Sequence, residues 1–556
     1  MPKTKVNKTL FVISLLLIIL AGAFFRVWQL EDLPPGLQYD EAYNGLDGLK
    51  ASQTGDLKVF YDENNGREGL YINVVGLFLK IFGVNNMAVR LSSALFGILT
   101  LIGFFLLAKE LKFSRFTIAM GTFMMSFSFW HINFSRLVYR GIMAPMLLVW
   151  IFYFFFKGFH SIRINERKNI KGHLLARGLV YFAIAGLLTG IGFHTYISFR
   201  VVPLIFAILI FFFILEDRNF LKIYWKGALL FVIGAFVTAM PLFLYFYQNP
   251  ADFSGRSNAV SVFNAPNQTF VSAFSESLLK HLASFFLAGD PNQRHNHSAQ
   301  ALIPMVWSIL FGLGFILTIK EIFFTIVGRF KKTRALRLFC AAVLAQAIFW
   351  VMLIPGILSI EGIPHALRII GTIPAVFLII LFSFEYLLKL YNKVKYSPRR
   401  KLKPWRWNIL RLSLAGLIIT VVLSGMSQVY LYFVVWANDP RTSQALERDL
   451  FDLGKIANQV ELKQRNYMIL ASEVAINEEK TQSSLKTTEF VGYPNIHEFS
   501  FYHPFEGLAM IPCENSLIIL HKSDGWLQKQ FQQKCSNLTL EEIVPKNGIH
   551  SFWVLH

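Results

Sequence analysis

Gly69-Leu70-Tyr71-Ile72-Asn73-Val74-Val75-Gly76-Leu77-Phe78-Leu79-Lys80-Ile81-Phe82-Gly83 is apolar but short. A helix needs about 20 predominantly apolar residues to cross a bilayer, and shorter runs more often re-enter, lie at the interface or pack inside protein. Whether this piece crosses decides the sidedness of every loop after it. The surrounding chain is 54% hydrophobic over 556 residues, with 56 Phe and a mean hydropathy of +0.46. That excludes a soluble globular fold. Apolar runs of spanning length fall near 10–28, 88–107, 116–131, 139–157, 176–194, 200–215, 227–247, 302–319 (or on to 328), 336–354, 366–388 and 408–436, about eleven crossings in all.

Loop charge settles the short piece. Lys3, Lys5 and Lys8 precede the first run, and alternate loops carry Lys109/Lys112/Arg115, Lys157/Arg163/Arg167/Lys168/Lys171/Arg177 and Arg218/Lys222/Lys226. Two more carry Lys320/Arg329/Lys331/Lys332/Arg334/Arg337 and Lys389/Lys393/Lys395/Arg399/Arg400/Lys401/Lys403/Arg406. More than half of the 54 Lys and Arg thus fall on one side, which the positive-inside rule makes cytoplasmic. A crossing at 69–83 would put these clusters outside, so the piece is expected to be re-entrant or juxtamembrane. The net charge of +20 is then a topology signal, and no basic face with interleaved aromatics points to nucleic acid. Ala21-Gly22-Ala23 has the form of a signal-peptidase site, but the run continues to Trp28, and either reading sends residues 29–68 to the outer face.

On this arrangement the loops 29–68, 131–138, 194–199, 248–301 and 355–365 share the outer face with everything after about 437. The tail changes character. Arg441 to Val460 has the pattern of an amphipathic helix, and Tyr467–Leu470 and Leu517–Leu520 of short strands. A stretch of about 120 residues suffices for a small mixed α/β domain. The expected architecture is therefore an all-α polytopic membrane module over 1–436 and an extracytoplasmic domain over 437–556. Cys513 and Cys535 in that domain either pair as a disulfide or stay as buried thiols.

Side chains with chemical capacity collect in the outer loops. Leu33-Pro34-Pro35-Gly36 leads into Tyr39-Asp40-Glu41-Ala42, and acids this close to a membrane are costly unless they face water or a polar site. Arg67 and Glu68 close the same loop. His131, Arg136 and Arg140 occupy the second outer loop, His194, Tyr196 and Arg200 the third, and His365 and Arg368 the fifth. A single arginine at a span end ordinarily snorkels to lipid headgroups. Several on the less basic side are not explained that way, and guanidinium forks match phosphate oxygens. Arg294-His295-Asn296-His297 has two histidines but no carboxylate or Cys recognised as a co-ligand, so no metal and no cofactor are expected.

The order of these features resembles the GT-C membrane glycosyltransferases, specifically the bacterial protein O-mannosyltransferase and lipid A aminoarabinose transferase superfamily (dolichyl-phosphate-mannose-protein mannosyltransferase-like). The resemblance covers roughly 10–436 in layout and is most specific at Tyr39-Asp40-Glu41-Ala42. It implies a polyprenyl-phosphate sugar donor, a glycan, lipid or protein acceptor, and transfer with inversion on the outer side of the cytoplasmic membrane. By resemblance Asp40 is the catalytic acidic residue, with Glu41 beside it. Arg67, Glu68, His131, Arg136, Arg140, His194, Tyr196, Arg200, His365 and Arg368 are the expected substrate-binding set. Rival classes are a transporter or flippase of a lipid-linked sugar, which favours charges near mid-membrane and internal repeats, and a non-catalytic anchor for the tail.

The charge pattern predicts that Ser397 and Asn537 lie on opposite sides of the membrane. Impermeant labelling of single cysteines placed at each is expected to reach only position 537 in intact cells, and equal labelling contradicts the eleven-crossing arrangement.

Overall fold

The computed structural model describes residues 8–168, 173–264, 268–327, 335–395, 404–471, 481–521, 525–545 and 551–556. Among these, ten helices are long and apolar enough to cross a membrane, and the protein is a multi-pass membrane protein. They are α1 (Lys8–Val27), α4 (Asn86–Glu110), α7 (Met143–Lys168), α8 (His173–Phe193), α9 (Pro203–Glu216, preceded by a 3₁₀ turn at Ile197–Val201), α10 (Phe220–Gln248), α13 (Met305–Val327), α14 (Ala335–Ile357), α15 (Ile373–Lys395) and α16 (Pro404–Tyr430). The basic residues Lys3, Lys5, Lys171, Arg329, Lys331, Lys332, Arg334, Arg399, Arg400, Lys401 and Lys403, together with Ser397, lie outside the described residues.

The expected crossing at 116–131 takes a different form. It breaks at Ser128 into α5 (Arg115–Phe127) and α6 (Phe129–Phe134). At its start, Glu385, past the middle of α15, accepts a hydrogen bond from the Ser114 N–H at 2.5 Å. At its finish, the Ser126 carbonyl accepts from Arg26 at the opposite end of α1, at 3.2 Å. The pair therefore returns the chain to the end that carries Asp40, as a crossing would. The short piece is α3 (Leu70–Phe82), a 13-residue helix. It packs against α2 (Tyr39–Thr54), where Gly48 of α2 faces the backbone of Gly76.

Between helices, packing rather than a hydrophobic driving force must do the work, because lipid tails are as apolar as the core. The central helices α7, α14 and α15 are largely buried, while α1, α10, α13 and α16 turn Leu, Ile, Val and Phe outward. At the contact of α8 and α10, the run Gly186-Leu187-Leu188-Thr189-Gly190 brings backbones together. A Cβ at Gly186 would meet the Phe231 backbone, and one at Gly190 would meet Thr238 and the Ala235 carbonyl. Phenylalanine fills the remaining space, as where Phe159 stacks on Tyr224 with centroids 4.9 Å apart.

After α16 comes a π-helical turn (Leu431–Trp436). The expected amphipathic helix over 441–460 is divided into α17 (Pro440–Ala445) and α18 (Arg448–Ala457). Glu447 between them has φ +52°, a left-handed conformation that ends a helix. The tail sheet holds β3 (Arg465–Ile469), β4 (Phe499–Tyr502), β5 (Ser516–Leu520), β6 (Leu540–Ile543) and β7 (Phe552–Leu555), ordered β4-β3-β5-β7-β6. The two strands expected from sequence are its parallel centre, β3 and β5. Helix α19 (Thr481–Val491) leaves the sheet and lies on α2, with Phe490 against Gly45.

Cys513 and Cys535 are joined as a disulfide, and Cys340 is a buried free thiol. Closing a loop of this size constrains the unfolded tail by about 3 kcal/mol in the chain-entropy account. Alkylation of denatured, unreduced protein is accordingly expected to modify Cys340 alone. Modification of all three cysteines contradicts the pairing.

Candidate active site

Helix α2 begins at Gln38, whose side-chain Oε1 accepts from the Asp40 N–H at 3.1 Å. That start places Asp40 in the first turn, where helix N–H groups favour negative charge. The two adjacent acids then diverge, because successive residues sit about 100° apart around a helix. Asp40 keeps 36% of its side chain exposed, with Arg294 Nη1 3.8 Å from its Oδ2. Its Oδ1 accepts from Asn64 Nδ2 at 2.7 Å.

Glu41, expected beside Asp40 as a catalytic carboxylate, is fully buried. Its Oε2 accepts from the Val138 N–H at 3.1 Å, and its Oε1 has no partner among the described residues. Burial holds its carboxyl up at about 7, with the Arg90 charge opposing.

Asn64 comes from a hairpin that links Asp40 to the arginines. Strands β1 (Phe60–Tyr61) and β2 (Arg67–Glu68) are joined through Asn64, Asn65 and Gly66. All three have positive φ, 49°, 64° and 78°, which Asn and Gly tolerate best. Beside Asn64, the Gly66 carbonyl accepts from Arg140 Nη2 at 3.3 Å.

Four arginines then share two glutamates. Arg140 Nη1 stands 2.9 Å from Glu68 Oε2 without the alignment of a hydrogen bond, and Arg200 Nη2 lies 3.3 Å from Glu68 Oε1. Arg368 and Arg256 both pair with Glu361, the latter at 3.2 Å. Tyr196 lies among them, with the Arg140 guanidinium 5.7 Å from its ring centroid. Burial pushes its hydroxyl up, while Arg368, Arg140 and Arg256 pull it back. Arg368 Nη1 is buried with no hydrogen-bond partner among the described residues. The group carries two positive charges more than its carboxylates neutralise.

The remaining sequence-nominated residues serve the walls. Arg67 donates to Asp47, to Asn44 Oδ1 at 2.9 Å and to the Glu63 carbonyl at 3.3 Å. Arg136 was expected to bind substrate, but it is fully buried and donates to the carbonyls of Phe25, Leu33 and Gln29 at 2.9, 2.9 and 3.4 Å. His131 was expected there too, but it is buried with Nδ1 2.5 Å from Arg26 Nη2. His194 Nε2 donates to the Thr238 carbonyl at 2.9 Å. His365 faces His295, with the two rings 4.8 Å apart. His295 and His297, two apart in sequence, part company: His297 Nε2 is 3.2 Å from Asp439 Oδ2, while His295 meets Asp290.

Sequence reasoning missed Asn64, Asp290, the pairing of Arg294 with Asp40, and Glu447. The Asn64-Asn65-Gly66 turn was a legible hairpin signal. Glu447 approaches from the tail, its Oε2 2.8 Å from Thr487 Oγ1, and the Thr487 hydroxyl donates to the Leu37 carbonyl at 2.9 Å. Burial pushes the Glu447 carboxyl up to about 8.

Residues 66–255 match the family model described as Dolichyl-phosphate-mannose-protein mannosyltransferase. The matched stretch starts after Asp40 and ends before Arg294. Among solved structures, the chain is similar to ArnT from Cupriavidus metallidurans bound to undecaprenyl phosphate, at 12% identity and a TM-score of 0.53, over 98% of this chain and 97% of that one. It is also similar to the Archaeoglobus fulgidus oligosaccharyltransferase tethered with an acceptor peptide, at 13% identity and a TM-score of 0.51, over 90% of this chain and 65% of that one. No curated protein sequence matches the chain. The fold is that of the GT-C membrane glycosyltransferases. The likeness to ArnT runs through the tail, beyond the 10–436 expected from sequence.

Glu41 supplies a pH test of the site's wall. Its carboxyl titrates near 4.5 when unfolded and about 7 when folded. Between those values the folded protein holds a proton that the unfolded chain has released, so stability falls as pH rises and levels off above about 7. Glu41→Gln keeps an acceptor for Val138 and cannot ionise. The variant's melting temperature relative to wild type is expected to climb from pH 4.5 to 7 and then hold, whereas a pH-independent offset contradicts the buried titration.

Proposed function

We propose that the protein is a glycosyltransferase that moves a sugar from a polyprenyl-phosphate donor to an acceptor hydroxyl, with inversion. The observation that carries this reading is the pairing of one accessible carboxylate, Asp40, with an adjacent arginine group two charges in excess. A lipid monophosphate would neutralise that excess as it leaves. The matched mannosyltransferase family model and the undecaprenyl phosphate held by ArnT support a lipid-phosphate donor. We place the site on the outer face of the cytoplasmic membrane, with the N-terminus inside. We treat 1–436 as the catalytic membrane module and 437–556 as an extracytoplasmic domain.

In this mechanism the acceptor oxygen forms a bond to the anomeric carbon, and the bond from that carbon to the phosphate oxygen breaks. Asp40 takes the hydroxyl proton, and the bonding pair leaves on the phosphate. A positioned base of this kind contributes typically about 10²–10⁴-fold. Arg140, Arg200 and Arg368 stabilise the charge gathering on the phosphate, an effect strongest where water is excluded. Tyr196 orients within that group. Arg67, Arg136, His131 and His194 position the loops, and Glu41 stays neutral behind Asp40 below about pH 7.

Asp40→Asn keeps size and the Asn64 contact but removes the proton acceptor. Single-turnover transfer is expected to fall about 10²–10⁴-fold while donor lipid still binds. Arg200→Ala or Arg368→Ala is expected instead to weaken donor binding by about 1.5–3 kcal/mol, the scale of one hydrogen bond to a charged group, with some loss of rate. Near-normal transfer by well-folded Asp40→Asn protein overturns the assignment of the base.

A further inference from the structure

Three side chains that the proposed transfer does not use converge next to Arg294. Asp290 and His295 belong to the segment between α12 (Phe270–Ala283) and α13, and His365 to the segment between α14 and α15. Their ligating atoms all lie within 4.8 Å of one another. His295 Nδ1 is 2.9 Å from Asp290 Oδ2, and both residues are buried. His365 Nδ1 faces the same oxygen at 3.9 Å, too far for a hydrogen bond. That nitrogen is buried without a hydrogen-bond partner among the described residues.

We propose that Asp290, His295 and His365 bind a divalent transition-metal cation of the zinc type. Two imidazole nitrogens and one carboxylate oxygen suit Zn²⁺, whereas Mg²⁺ and Ca²⁺ take oxygen donors. A tetrahedron built on bonds of about 2.0–2.1 Å has edges of about 3.3–3.4 Å. The two separations at Asp290 Oδ2, 2.9 and 3.9 Å, lie on either side of that edge, and with all three donor atoms within 4.8 Å of one another, side-chain adjustment brings them onto one ion. A bare His295–Asp290 hydrogen bond satisfies two members and leaves His365 Nδ1 with nothing to do. An ion gives all three a partner.

The donors are braced from behind, as ligating side chains generally are. The Asn292 N–H donates to Asp290 Oδ1 at 2.8 Å, and the Ala366 N–H to Oδ2 at 2.7 Å. The His365 N–H donates to His281 Nε2 at 3.1 Å. Phe134 and Tyr139 wall the His295 ring, at 5.6 and 6.1 Å between centroids. Three protein ligands leave a fourth position open. The ion's task follows from what it joins: it clamps the segment bearing Arg294 to the segment bearing Arg368 and so fixes both cations relative to Asp40. Metal binding itself stands apart from glycosyl transfer and is measured without it.

The test uses the full-length protein in lipid nanodiscs, stripped with chelator and titrated with ZnCl₂, with bound metal counted by mass spectrometry. One zinc per chain is expected, and the Co²⁺-substituted protein is expected to show the visible absorption of a tetrahedral site. His365→Gln and Asp290→Asn are each expected to weaken zinc binding by about 100-fold, at or beyond the upper end of what losing an outer-shell partner costs. His297→Gln, which alters the neighbouring histidine that faces Asp439, is expected to leave it unchanged. Absence of saturable zinc in wild-type protein overturns the proposal without recourse to any variant. So does zinc binding that survives His365→Gln and is lost in His297→Gln.

Discussion

Two buried guanidinium groups hold the chain that delivers Asp40. Arg90 donates to the carbonyls of Leu30 and Glu31 at 3.0 and 3.2 Å and to that of Gly36. Arg136 takes the carbonyls of Phe25, Gln29 and Leu33. The end of a helix leaves carbonyls without partners, and a charge without partners is costly to bury. Each defect answers the other between α1 and α2. Hydrogen bonds to a charged group contribute about 1.5–3 kcal/mol apiece, so the path from Phe25 to Gly36 has little freedom. Arg136 is therefore worth more as a carbonyl binder than as a phosphate binder, although its position in the sequence is the same for both.

The carboxylates around Asp40 are separated by environment. Burial raises Glu41 to about 7 and Glu447 to about 8, whereas Asp40 faces solvent and Arg294. One of these acids comes from the next residue and the other from the tail, more than four hundred residues away. Thr487 ties the tail to the loop through Leu37, and α19 covers α2. The tail thereby forms part of the wall behind the proposed base.

Legibility in the sequence followed range. The spans, the short α3 and the strands at the centre of the tail sheet are written in local hydropathy. But α7 continues to Lys168 and α10 begins at Phe220, where charged residues interrupt the apolar run, and α15 lies about seven residues beyond the expected 366–388. The broken α5–α6 pair was read as one run because Ser128 interrupts the helix without interrupting the apolar pattern. Arg441 to Val460 kept its amphipathic period across Glu447, where only a backbone conformation marks the break. Asp40 stood out because an acid beside a membrane span is costly. Glu41 did not separate from it, since burial at the next position depends on Val138 in the loop after α6 and on Arg90 of α4. Asp290 lies five residues before His295, yet its approach to His365 is a tertiary fact that no spacing rule conveys.

The proposed reaction at Asp40 is cleavage of a lipid monophosphate sugar. Purified protein in lipid, given a panel of radiolabelled polyprenyl-phosphate sugars one at a time, measures this most directly. The account predicts that one member of the panel releases its label to an acceptor or to water, and that Asp40→Asn protein fails to do so with the same donor bound. Intact donors across the whole panel, with label instead moving from one leaflet to the other, would contradict it.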